Sequence, residues 1–170
     1  MSQLKRSRVQ IKTLLLVGEG LDEEAFLKYL SSKLVTRGAG LKVTIKNAKG
    51  KGAKHVIDWT IRQSGIAHYD NIAALFDTDT DWTISVEQQA RKHKILLLKS
   101  DPCFEAMLLR MLGITPELDP KKLKKQFAPF VNNGSTLKEN YSEHFSPEQL
   151  KAKQQSEPTI ELLLNLLFSA

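Results

Sequence analysis

Ala73-Ala74-Leu75-Phe76-Asp77-Thr78-Asp79-Thr80-Asp81 is the stretch whose reading decides the fold. A short apolar run stops in three carboxylates spaced two residues apart, the pattern of a strand buried on both faces that carries charge to the edge of a sheet. In an extended chain residues i, i+2 and i+4 share a face, so Asp77, Asp79 and Asp81 are expected to converge. Such a cluster repels itself unless a divalent cation, an Arg or Lys partner or bulk water takes up the charge.

Upstream, Thr13-Leu14-Leu15-Leu16-Val17 reads as a second doubly buried strand, stopped by Gly18-Glu19-Gly20. Asp22 is positioned to cap a helix whose apolar residues Phe26, Leu27, Leu30, Leu34 and Val35 recur at helical spacing and which is expected to end near Arg37-Gly38. A strand over Leu41 to Ile45 leads to the loop Asn47-Ala48-Lys49-Gly50-Lys51-Gly52, which has the composition of a phosphate cradle but not the spacing or the Lys-Ser/Thr ending of a P-loop. A helix then covers roughly Ala53 to Ile66. Downstream of the aspartates, a short polar helix is predicted for Ser85 to His93, a strand for Lys94 to Lys99 and a helix for Cys103 to Leu112.

Strands alternating with helices predict an α/β fold, a doubly wound and mainly parallel four-stranded sheet flanked by helices. Ligands on such sheets bind at the carboxyl ends of the strands, where Glu19, Asp77 and Ser100 to Glu105 all fall. Residues 1–12 read as a basic lead-in, residues 13–112 as the α/β core and residues 113–170 as a helical extension packed on the core. Within the extension, Val131 to Ser135 reads as a loose loop, and the apolar face of a final helix, Ile160, Leu163, Leu164 and Leu167, is expected against the sheet or against a second copy in a homodimer.

The formal charge is +6, and its distribution says more than its sum. Lys42, Lys46, Lys49, Lys51 and Lys54 follow one another without an acid, while carboxylates collect around Glu19 to Glu24 and Asp77 to Asp81. A basic chain with an acidic focus suits a metal-dependent protein acting on a polyanion. The single cysteine, Cys103, excludes an internal disulfide; with neither a signal-peptide core nor a membrane-length apolar run, a cytoplasmic protein without membrane contact is expected.

Three chemistries fit parts of the aspartate run. Asp-x-Asp-x-Thr after an apolar strand suits an aspartyl-phosphate enzyme, but that motif belongs on the first strand of its domain and needs a later acidic pair; here two strands precede it and no pair follows Ile95 to Leu98. A calcium loop of the EF-hand kind fails because its sixth position is Trp82 and its twelfth Gln88. The third combines Glu19 with Asp77 and Asp79, three carboxylates that parallel strands bring side by side for Mg²⁺ or Mn²⁺ in phosphodiester chemistry.

That last pattern is the metal-site pattern of topoisomerase-primase (TOPRIM) domains, and the likeness goes further. Leu15-Leu16-Val17-Gly18-Glu19-Gly20 with Glu24, Phe26 and Tyr29, then Tyr69-Asp70-Asn71 through Asp79, then Ser100-Asp101-Pro102-Cys103-Phe104-Glu105, resembles RloB-like proteins, a TOPRIM-type family of restriction and phage-defence loci. The chain departs from that family's pattern at Glu23, where Thr is usual, and at Asp101, where Asn is usual. The resemblance implies a Mg²⁺- or Mn²⁺-dependent nuclease or phosphoryl-transfer protein acting on DNA or RNA in a defence system, with an ATPase as an expected partner. The alternative is a non-catalytic module of such a system that binds nucleic acid or a partner, so the chain reads as an enzyme with that rival standing.

The residues expected to do this work follow. Glu19, Asp77, Asp79 and Asp81 are the metal candidates, with Glu24 and Glu105 as supporting catalytic acids. Lys46, Lys49, Lys51, Lys54 and Lys99 are the candidates for phosphate contact. Cys103, Trp59 and Trp82 read as packing residues.

Overall fold

The computed structural model describes residues 10–168. The predicted basic lead-in lies outside the described residues apart from Gln10, Ile11 and Lys12. Four strands, β1 (Lys12–Gly18), β2 (Leu41–Asn47), β3 (Asn71–Asp77) and β4 (Ile95–Ser100), form one parallel sheet in the order β2-β1-β3-β4. Helices α1 (Leu21–Leu34), α2 (Gly52–Ser64), α3 (Ile84–Lys92) and α4 (Phe104–Met111) follow the strands in turn. The C-terminal region adds α5 (Pro120–Phe127), α6 (Pro147–Lys153) and α7 (Pro158–Phe168), linked by 3₁₀ turns.

The central strands are apolar without alternation because both faces of the sheet are covered. Leu14 and Leu16 of β1 and Ala73 and Leu75 of β3 face a core completed by Phe26 and Leu30 of α1, Met107 and Leu108 of α4, and Ile160, Leu163, Leu164 and Leu167 of α7. Leu15, Val17, Ala74 and Phe76 face the other way, onto Ala53, Val56 and Ile57 of α2 and Val86 and Ala90 of α3. The period-2 geometry of a strand thus splits each apolar run between two cores. The face of α7 read as apolar packs within the chain's own core.

Three details differ from the sequence reading. Helix α1 is capped at Gly20, and Asp22 stands inside its first turn. The same helix stops at Leu34 because Val35 turns extended. The stretch predicted as a loose loop holds Val131, fully buried, and folds back through Asn133 N–H to Ala128 O and Gly134 N–H to Val131 O. Two apolar anchors ten residues apart, Val131 and Tyr141, draw this polar segment onto the main core.

Candidate metal centre

Strands β1 and β3 are neighbours, yet the chain leaves β1 toward β2 on one side and β3 toward β4 on the other. Their carboxyl ends therefore flank the point where the winding reverses, the place where open α/β sheets leave a crevice for ligands. Glu19 is the first residue after β1, and Asp77 is the last of β3. The Asp77 main-chain N–H donates to Glu19 Oε2 at 2.8 Å. Phe104 N–H, at the start of α4, donates to Asp77 Oδ1 at 2.9 Å, so a helix-terminal amide with no intrahelical partner finds one in the site.

Glu23 supplies the third carboxylate, and glycine explains how. A Cβ at Gly18 would lie 3.0 Å from both Glu23 Cβ and Glu24 N, so any side chain there would push the first turn of α1 away from the end of β1 by a few tenths of an ångström. Gly20 N–H then donates to Glu23 Oε2 at 3.0 Å. Each of the three acids is oriented on one oxygen by a main-chain amide, and Glu19, Glu23 and Asp77 each offer an oxygen within 4.8 Å of the others.

Their surroundings favour neutralisation. Burial, followed by the nearby charges of Glu23, Glu19, Glu105 and Asp79, pushes the Asp77 carboxyl up to about 9. Burial, then Glu19, Asp22 and Glu105, pushes Glu23 up to about 8. Glu19 is also raised, chiefly by burial, although N–H groups of Asp77 and Gly52 oppose the shift. Buried like charges that are fixed by amides call for either protons or a cation. An octahedral Mg²⁺ spans about 4.2 Å between opposite oxygens. Three oxygens within 4.8 Å of one another are close enough for one such ion to draw them together by side-chain adjustment. The donor set, three hard oxygens beside an open cleft with room for water, suits Mg²⁺ or Mn²⁺.

The other acids expected in the site stand outside this three-carboxylate cluster, with Asp79 and Glu105 beside it in the cleft. Asp79 is exposed at the rim of the cleft, its N–H bound to Pro102 O at 3.1 Å. Asp81 is exposed and accepts Lys54 N–H at 3.2 Å at the start of α2. Slight burial works against it, but amides of Lys54 and Ala53 and the Thr80 hydroxyl hold its carboxyl below the usual aspartate value. A Cβ on Gly52 would meet Asp81 Oδ1 at 2.6 Å, which shows how tightly the two loops interlock. Glu24 is tied to Lys28 at 2.7 Å and to Asn47 at 2.9 Å, and the Lys28 bond holds it low. Asp101 accepts the Thr78 hydroxyl at 2.9 Å. Glu105 is half-buried and lines the cleft.

The lysines divide as well. Lys46 Nζ donates to Gln63 Oε1 at 2.7 Å, and Lys54 pairs with Asp58 at 3.2 Å. Lys49 and Lys51 are exposed, both with positive φ (63° and 73°). Lys99 places Nζ 5.8 Å from the centre of the Trp82 ring, which itself rests on Phe76. Cys103 is buried, and that burial pushes its thiol up to about 12, so it is no nucleophile at neutral pH.

A cleft of about 750 Å³ opens over Glu23, Asp77 and Glu105. Its opposite wall is the segment after α4, with Pro116, Leu118 and Leu123, and its cations are Arg110 and Lys124. Arg110 is clasped by the Glu157 carboxylate, which anchors the start of α7 beside the cleft. The sequence marks Glu23 only as a departure from the family pattern and leaves it out of the expected metal ligands. The signal that could have found it is Glu19-Gly20-x-x-Glu23 read with Gly18, two glycines that let a helix begin directly over a strand end. Compared with protein-family models, with curated proteins and with solved structures, the chain matches none.

Proposed function

We propose that this chain is a Mg²⁺- or Mn²⁺-dependent nuclease or phosphoryl-transfer protein acting on DNA or RNA, with Glu19, Glu23 and Asp77 holding the metal. The observation that carries this reading is the convergence of three amide-oriented carboxylates at the sheet's switch point, two of which, Glu23 and Asp77, have strongly raised proton affinity and line an open cleft. A divalent ion held there would neutralise charge developing on a phosphoryl group and lower the pKa of a bound water.

The chain's own groups supply the rest. Main-chain N–H groups of Gly20, Asp77 and Phe104 fix the carboxylates of Glu23, Glu19 and Asp77, so no reorganisation is needed when substrate arrives. Glu105, in the cleft wall, is the acid placed to take a proton from the attacking water. Lys124 faces the cleft as a partner for substrate phosphate beside Arg110, whose charge is already paired with Glu157, and exposed Lys49 and Lys51 serve flanking nucleotides. The resemblance to RloB-like, TOPRIM-type proteins supports the same chemistry and extends it to a phage-defence role with a partner ATPase.

The test is a nuclease assay on single- and double-stranded DNA and RNA with Mg²⁺ or Mn²⁺, paired with calorimetric Mn²⁺ titration. Wild type is expected to bind Mn²⁺ and cleave, and Asp77→Asn to lose both. Cleavage by Asp77→Asn at the wild-type rate overturns the metal reading. Salt-sensitive oligonucleotide binding with neither cleavage nor metal response assigns the non-catalytic module instead.

A further inference from the structure

Two of the three carboxylates rest on a support that comes from far along the chain. Tyr141 is fully buried, with its ring 5.4 Å from Phe26, 6.2 Å from Tyr29 and 6.4 Å from Phe104, centre to centre. Its hydroxyl donates to Ser135 O at 2.6 Å and lies 3.4 Å from Asp22 O. Ser135 Oγ in turn donates to Asp22 Oδ1 at 2.8 Å. Asn140 Nδ2 closes the same loop by donating to Gly134 O at 2.8 Å.

These contacts converge on the carriers of the site. Asp22 immediately precedes Glu23 in the first turn of α1, and Phe26 stands one turn further on the same helix. Phe104 is the residue whose N–H holds Asp77 Oδ1. The Tyr141 ring thus touches α1 and the start of α4 at once, and its hydroxyl fixes the loop that grips Asp22. A buried hydroxyl bridging two segments loses its partners if either segment shifts, which ties their separation to one value.

We infer that Tyr141, acting with Ser135, is a positioning residue for the carboxylate site: the segment 132–141 sets the distance between Glu23 and Asp77. The inference rests on reading that cluster as a metal centre, and it makes the C-terminal region part of the site's support. Groups that orient metal ligands from behind typically change metal affinity by about 10- to 100-fold when removed.

The test uses the full chain with Tyr141→Phe, which keeps the ring and its packing, and with Ser135→Ala. Mn²⁺ affinity is expected to fall about 10-fold in each. Amide hydrogen exchange is expected to quicken at Gly20 and Phe104, the donors to Glu23 and Asp77, while the β1 and β3 amides keep their protection. The double variant is expected to fall short of the sum of the two, because both act through the same loop. Unchanged affinity with unchanged exchange at Gly20 and Phe104 overturns the inference. A uniform loss of protection across the sheet with wild-type Mn²⁺ affinity also overturns it, since that is a stability role only. If wild type itself takes no Mn²⁺, the metal reading falls, and exchange at Gly20 and Phe104 alone decides whether Tyr141 positions the acids.

Discussion

Asp77 and Asp81 stand four residues apart and live under opposite physics. Asp77 ends a buried strand among other acids, and burial raises its carboxyl to about 9. Asp81 lies on the surface as a cap for α2 and is held below the ordinary aspartate value by main-chain amides. What separates them is the backbone between: Thr78 and Asp79 both give their N–H groups to Pro102 O, which ends the extended geometry just past Asp77. Two-residue spacing brings carboxylates together only while the chain stays a strand.

The sharpest way to break this contrast is activity. Asp77→Asn is expected to lower cleavage by about 10³-fold or more, the scale of losing a group that holds charge-stabilising machinery in place. Asp81→Asn keeps an acceptor for the Lys54 amide and is expected to stay within about 3-fold of wild type, an effect on the loop alone. Steady-state rates for the two variants under one metal concentration check this, and comparable losses would erase the distinction.

Stability against pH should split the pair with opposite signs. For Asp77 and Glu23 the folded-state value lies above the ordinary one, about 9 against 3.8 and about 8 against 4.5, so the folded protein holds more protons than the unfolded chain between those limits. Metal-free protein is therefore expected to lose stability as pH rises from about 4 to 9, with the loss complete above the folded values. Each tenfold difference in proton affinity between folded and unfolded chain corresponds to about 1.4 kcal/mol, and each kcal/mol to about 2–4 °C, so a fall in Tm of at least about 5 °C between pH 5 and 9 is expected. Asp77→Asn flattens that slope, and Mn²⁺ reverses it by replacing the protons. Asp81, with a lowered value, contributes stability above the ordinary aspartate range that is lost as pH falls through it, so Asp81→Ala is expected to cost about 0.5–2 kcal/mol at neutral pH. Thermal melts across pH with and without Mn²⁺ check both signs.

The contrast also marks how far sequence reached. Leu14 to Val17 and Ala73 to Phe76 announced doubly buried strands, because only a sheet covered on both sides tolerates such runs, and the parallel-sheet rule then put Glu19 and Asp77 at one edge. Glu23 was hidden because its place depends on how closely α1 approaches β1 at Gly18, a tertiary fact carried by a missing side chain. The second wall of the cleft was hidden for another reason. The C-terminal region that carries it is held in part by Tyr141 and Phe145, apolar residues in a polar stretch with some partners more than a hundred positions away, as with the Tyr141 ring against Phe26 and Tyr29 Oη donating to Phe145 O. No local period announces contacts of that range.

The smallest effect lies in the loop that Asp81 braces. Lys51 sits at φ 73°, ψ 16° as the residue before α2, a left-handed conformation that costs an L-residue about 1–2 kcal/mol. Replacing it with glycine removes that strain but frees the unfolded chain by about 0.4–1 kcal/mol, so Lys51→Gly is expected to raise stability by about 1 kcal/mol or less. A lysine in a strained conformation that glycine would adopt more easily points to use of its charge, beside a helix start already occupied by Asp81. If Lys51 contacts phosphate, the same variant should bind oligonucleotide more weakly and reduce the slope of log affinity against log salt by about 1. A more stable protein with an unchanged salt slope would confine nucleic-acid contact to the cleft, on the side of Asp77, Arg110 and Lys124.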